Sequence, residues 1–245
     1  MLKARWQIAV LAGIPVRLHV SFILVLGIVV VAALAAGHGA GGGFAPGFLG
    51  LGEWLFGLGI VVAAYSCVVL HELGHCLVAR RFGIETVEIV LLPIGGIAFL
   101  RSGRDAVWKS ERESAHDELR IALAGPAVNA VIATLLGVLL VFELLVPGGW
   151  AHEFLVSLFV FNLGMCLFNL LLPAFPMDGG RVVRALLTPR VGKYRATQLA
   201  MKLGRVLAVL MAVLSAFVLN PILLFIAGFI WVAAGMEARN VPRPV

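Results

Sequence analysis

The sequence predicts a membrane all-α bundle of about six transmembrane helices, with a small membrane-associated β-sheet on the cytoplasmic side. Three observations carry that expectation. Of the 245 residues, 61% are hydrophobic and 13% charged, and the mean hydropathy is +1.04. Soluble domains have roughly 45–50% apolar and 25% charged residues. Long apolar runs recur along the chain, most of them near the 20 residues a bilayer requires. The Lys and Arg residues fall between those runs in alternate connections, as a topology signal should.

Taken in order, segment 18–36 is the first expected span and 54–79 the second. The third is 119–146 and the fourth 153–172. The fifth, 204–219, and the sixth, 221–236, are short and are joined by Asn220-Pro221, a helical hairpin with a proline restart. Two β-rich segments, 7–17 and 87–100, carry Gly or Pro turns and read as strands. Residues 101–118 mix charges of both signs and read as a solvated loop. The whole is expected to be one integral-membrane domain over 1–245, with no PDZ-like insertion and no C-terminal nucleotide-sensing pair. Met1 to Ile14 lacks the cleavage pattern of a signal peptide.

Charge placement orients the bundle. Lys3, Arg5 and Arg17 precede the first span, and the glycine-rich stretch after it has no Lys or Arg. Arg80, Arg81, Arg101, Arg104, Lys109, Arg112 and Arg120 follow the second span, and 147–152 has no Lys or Arg. Arg181 through Arg205 supply the next basic block, and Arg239 and Arg243 follow the sixth span. Both termini are therefore expected in the cytoplasm. The net charge of +6 serves this topology. No contiguous basic face with stacking aromatics is present, so nucleic acid is not an expected partner. Cys67, Cys76 and Cys166 lie in apolar helices and read as small core residues without a disulfide framework.

The second span carries His71-Glu72-Leu73-Gly74-His75. Positions i and i+4 share a helix face, so the two imidazoles can meet one metal ion. Glu72 is placed to hold and deprotonate a water. Ionisable groups at membrane depth are costly and are functional by default. The second and fourth spans run in the same direction, so Asp178, just beyond the fourth, reaches the depth of the two histidines. A carboxylate suits a third zinc position with water in the fourth. The competing reading makes Asp178 the N-cap of a helix over 179–187. Asn169, Asn162 and Asn129 are candidate oxyanion or substrate contacts, and each could equally make a plain interhelical hydrogen bond. Gly95 and Gly96 lie at the turn of the second β-rich segment, whose edge strand could pair with an extended peptide or could merely seal the helix bundle.

With these residues in view, the chain resembles the site-2 protease family of intramembrane zinc metalloproteases. The resemblance rests on His71-Glu72-Leu73-Gly74-His75 paired with Leu172-Pro173-Ala174-Phe175-Pro176-Met177-Asp178-Gly179-Gly180-Arg181. It extends to Gly13-Ile14-Pro15-Val16-Arg17-Leu18-His19, to Pro93-Ile94-Gly95-Gly96 and to Ala124-Gly125-Pro126-Ala127-Val128-Asn129. It implies His71, His75 and Asp178 as ligands of one Zn2+ per chain and Glu72 as general base. It also implies cleavage of a transmembrane protein substrate within or next to its helix, in regulated intramembrane proteolysis, by an enzyme of the lipid bilayer, with a prokaryotic cell membrane as its setting. The family commonly places an Asn three residues before the first proline of the Asp-Gly motif. Here Asn169 stands four before Pro173, which turns it about 100° around the helix. A metal transporter and an inert helix-binding homologue are the rival readings. The first leaves Glu72 without a role, and intact Glu72 argues against the second.

Overall fold

The computed structural model describes residues 5–24, 51–93, 95–102, 111–143 and 149–239. In order these form β1 (Arg5–Leu11), β2 (Ile14–His19), α1 (Leu51–Arg81), β3 (Ile84–Leu92), β4 (Gly95–Ser102), α2 (Glu111–Glu143), α3 (Trp150–Leu171), α4 (Asp178–Val191), α5 (Lys193–Val218) and α6 (Pro221–Arg239).

Among the described residues, four helices are long and apolar enough to cross a membrane: Trp54–Arg81, Glu113–Phe142, Trp150–Leu171 and Lys193–Val218. Leu223–Met236 is a shorter apolar helix. The expected first span lies mostly outside the described residues, of which 20–24 are helical. Two helices begin before the expected spans: α2 starts at Glu111, within the stretch read as a loop, and α5 at Lys193. In both cases charged first turns extend a helix beyond its apolar core, where hydropathy alone cannot see it. The helices keep apolar side chains on their outer faces: Val131, Leu135, Val138, Leu139 and Phe142 of α2 are all exposed. Outward apolar faces are what a helix in lipid requires.

Both β-rich segments fold as hairpins of one four-stranded sheet in the order β1-β2-β3-β4. β1 pairs with β2 antiparallel, β2 with β3 parallel, and β3 with β4 antiparallel. The β1–β2 turn places Ala12 at φ 51° and Gly13 at φ 81°. Two successive positive φ values give the primed turn that matches strand twist. Ile14, Val16, Ile89 and Leu91 bury one sheet face against Val68, Val69 and Cys76 of α1. On β3, Glu88 is buried and ion-pairs with both Arg5 of β1 and Arg17 of β2, which ties three strands together.

This core fixes α1 beneath the sheet, and β4 packs beside it. α2 packs against α1, α3 and α4, while α5 packs against α4 and α6. Between α3 and α4 the chain runs irregularly through 172–177, with Ala174 and Phe175 buried. Its backbone is tied by short bonds, Ala174 N–H to the Leu172 carbonyl at 2.8 Å and Met177 N–H to the Ala174 carbonyl at 2.9 Å. Ala174 and Met177 pack with Ala208 of α5 and Ile230 of α6. Non-helical backbone next to a membrane span is thus enclosed by protein, as it must be.

Candidate metal centre

Helical spacing brings His71 and His75 to one face of α1. Their Nε2 atoms stand 3.1 Å apart. Asp178 opens α4, and its Oδ2 lies 3.2 Å from each of those nitrogens. All three residues are buried. The expected N-cap alternative for Asp178 does not match this arrangement, since Met177 holds the N-cap position.

The triangle fits zinc. With bonds of 2.0–2.1 Å, the edges of a zinc tetrahedron are about 3.3 Å, close to the 3.1–3.2 Å seen here. Two imidazole nitrogens and a carboxylate oxygen are also the donor chemistry of a hydrolytic zinc site with one open position. Burial alone would push the Asp178 carboxyl up, but the hydrogen bonds and charge of His71 and His75 bring it down to about 2. Asp178 is therefore an anion throughout the neutral range and needs no proton removed to serve as a ligand.

α2 lines the other side of the imidazoles. Gly125 sits so close that a Cβ there would meet His75 Nε2 and would stand 2.7 Å from His71 Nε2. α1 itself comes against α2 at Gly74, where a Cβ would stand 2.8 Å from Val128 Cγ2 and 2.9 Å from the Ala124 carbonyl oxygen. The ring nitrogens turned away from the triangle are held by the same helix. His75 Nδ1 is 2.6 Å from the Ile121 carbonyl oxygen, and His71 Nδ1 is 2.9 Å from Asn129 Oδ1. Such outer partners fix the ring orientation and leave Nε2 for the metal. Pro126, inside α2, has no N–H for the helical ladder, so the Ala122 carbonyl loses its usual helical donor.

Glu72 is half-buried and lies under the start of β4. A Cβ on Gly96 would be 2.6 Å from Glu72 Cγ and 3.3 Å from Oε1. Tyr65 Oη, also on α1, donates to the Pro93 carbonyl at 2.6 Å and holds the β3–β4 turn over the helix. Gly96, and Gly95 beside it at the start of the strand, are therefore brought to the site. β4 is an edge of the described sheet.

The three asparagines separate. Asn129 and Asn162 are fully buried and bond to each other, Asn129 Nδ2 donating to Asn162 Oδ1 at 3.3 Å. Asn162 Nδ2 donates to the Leu158 carbonyl at 2.8 Å. Asn169 Nδ2 donates to the Met165 carbonyl of its own helix at 3.1 Å. For Asn129 and Asn162 the interhelical hydrogen bond is the contact present. Sequence reasoning missed the Ile121 carbonyl, a backbone group for which residue type gives no signal, and the Arg184–Glu118 pair. Arg184 Nε donates to Glu118 Oε1 at 2.8 Å, and its guanidinium covers the Phe175 ring at 4.9 Å. That contact locks α4, and with it Asp178, onto α2.

The family model described as peptidase family M50 matches residues 59–148 and 145–211. A zinc metalloprotease of Methanocaldococcus jannaschii is 35% identical over 230 residues, covering 94% of this chain and 59% of that protein. The stage IV sporulation protein FB of Bacillus subtilis is 27% identical over 135 residues, 55% of this chain and 42% of its own length. Among solved structures, the site-2 protease from Methanocaldococcus jannaschii superposes with a TM-score of 0.62 at 30% identity, covering 98% of both chains. The chain spans 58% to 60% of the length of the curated relatives that it matches over nearly its whole extent.

Proposed function

The chain belongs to peptidase family M50, the site-2 protease family, and on that premise we propose that it is a zinc-dependent intramembrane endopeptidase. It is an integral membrane protein, and its proposed substrate is another membrane protein, cut within or next to a transmembrane helix in regulated intramembrane proteolysis. The observation that carries this reading is the buried triangle of His71, His75 and Asp178 directly beside Glu72.

In this reading His71, His75 and Asp178 hold the zinc. When bound, zinc supplies Lewis acidity that polarises the scissile carbonyl and makes water acidic near neutral pH. Glu72 takes the proton of the attacking water and delivers it to the leaving amine nitrogen. β4, an edge of the described sheet, offers Gly95 and Gly96 to an unwound stretch of substrate, whose backbone pairs with it as an added strand. Pairing at Gly96 sets the scissile bond over Glu72, because even a Cβ on Gly96 would meet that side chain. A bond inside a regular helix keeps its carbonyl committed, so helix-breaking residues in the substrate favour cleavage. Asn169 is retained as a candidate polar contact to substrate. The full topology proposed is six spans with both termini and the sheet on the cytoplasmic side of a prokaryotic cell membrane. The alternating Lys and Arg connections support it.

The test is cleavage of a single-span reporter in liposomes by wild type and Glu72→Gln at matched zinc content. The expected loss in the variant is about 10²–10⁴-fold with zinc retained. Equal product from both would remove Glu72 from the chemistry.

A further inference from the structure

The two rings of the triangle are oriented by different devices. His75 Nδ1 meets one backbone carbonyl, that of Ile121. His71 Nδ1 meets Asn129, behind which a chain of side-chain amides continues. Asn129 Nδ2 donates to Asn162 Oδ1 at 3.3 Å. Asn162 Nδ2 donates to the Leu158 carbonyl at 2.8 Å and to Cys67 Sγ at 3.3 Å. The chain leaves α1 at His71, passes through α2 and α3, and returns to α1 at Cys67. Asn129 and Asn162 are fully buried, so neither offers a surface to substrate.

The chain has one direction, and its logic can be followed from the triangle outward. His71 Nε2 faces Asp178 and His75. To give that nitrogen's lone pair to a metal, a neutral imidazole must carry its proton on Nδ1. Asn129 must then present its oxygen to His71, which leaves its NH2 for Asn162. Asn162 must in turn present its oxygen and point its own NH2 at Leu158. Reversing Asn162 would set its oxygen 2.8 Å from the Leu158 carbonyl oxygen, two acceptors facing each other in a buried site. The Leu158 carbonyl cannot turn, because it belongs to α3. A backbone group of one helix thus selects the tautomer of a ring on another, two amides away.

We propose that Asn129 and Asn162 are positioning residues for the metal ligand His71, Asn129 by direct contact and Asn162 through Asn129. This rests on the reading that His71 holds the metal, and the experiment separates the two claims. Zinc affinity of the purified full chain is measured by competition with a chromophoric chelator. Wild type is expected to bind one zinc and His71→Ala/His75→Ala none; zinc retained by the latter overturns the metal reading itself. Asn129→Leu weakens zinc by about 10–100-fold, the range for lost outer partners of a ligand. Asn162→Leu weakens it by about 10-fold, and the double variant is no weaker than Asn129→Leu alone, since both changes break one chain.

Wild-type affinity in Asn162→Leu, or losses that multiply in the double variant, would overturn the proposal, as a merely structural asparagine pair gives those results. Where a leucine variant does not fold, the smaller changes Asn129→Ala and Asn162→Ala decide. Weaker zinc in both supports the assignment, and wild-type zinc in either overturns it.

Discussion

Replacing Gly125 with Ala tests the site through a single methyl group. The new Cβ would stand 2.7 Å from His71 Nε2 and closer still to His75 Nε2. Ordinary contacts begin at 3.4 Å, so the overlap with His71 is about 0.7 Å and that with His75 is larger. Neither ring has room to retreat, because Asn129 and the Ile121 carbonyl hold their far nitrogens at 2.9 and 2.6 Å. α2 is also in close contact with α1 at Gly74. The methyl therefore forces the imidazoles apart or the helices away from each other, by about 1 Å in either case. A misplacement of that size can cost about 100-fold, so zinc affinity and cleavage should both fall by at least about that factor. Alanine is the better helix former by about 1 kcal/mol, but the overlap itself costs about 1–3 kcal/mol, so stability is followed beside zinc affinity. The assay is chelator competition for zinc, with thermal unfolding of the metal-free protein alongside. Gly164→Ala on α3, where a Cβ meets nothing within 4 Å, is the control and should behave as wild type. Wild-type zinc affinity in Gly125→Ala would refute the geometry argued here.

Chelation should abolish cleavage, and added zinc should restore it. As pH falls, protons compete with the metal for its ligands; the Asp178 carboxyl, held at about 2, stays ionised until strongly acid conditions, so metal should leave before that carboxyl is protonated. Zinc content measured against pH checks this, and release confined to the region near pH 2 would contradict it. Gly96→Val places a branched side chain where a Cβ already stands 2.6 Å from Glu72 Cγ. It should lower kcat by about tenfold or more with zinc affinity unchanged, and a wild-type kcat would argue against the contact. Arg184→Met leaves the Glu118 carboxylate without the guanidinium that shields it, at a cost of about 3 kcal/mol. Thermal unfolding should show the loss, and Glu118→Leu in the same chain should recover part of it.

How far the sequence can be read follows from which distances are local. His71, Glu72 and His75 share one helix, so their relation is set by 3.6 residues per turn and is legible in five letters. Asp178 was reachable because parallel spans bring their ends to one depth. The pairing of Asn129 with Asn162 depends on how three helices rotate about their own axes, and no spacing encodes that. Gly125 stood in a recognisable motif, yet its closeness to the imidazoles is a tertiary fact about α1 against α2. The start of α5 at Lys193 was hidden because Lys193, Arg195 and Lys202 lower the hydropathy of turns that are helical all the same. The hairpins were legible from their Gly and Pro turns. The parallel pairing of β2 with β3 was not, since it joins segments some seventy residues apart.

The triangle also has a consequence for the lifetime of the protein. Two of its corners lie on α1 and the third on α4, about a hundred residues later, and α4 packs chiefly on α2 and α5 rather than on α1. Zinc on these three atoms would staple the two ends of a long chain segment. A ligand that binds only the folded form stabilises it by mass action. Zinc supply would then govern survival as well as turnover: chains left without metal would open between α1 and α4 first and be the ones that quality-control proteases remove.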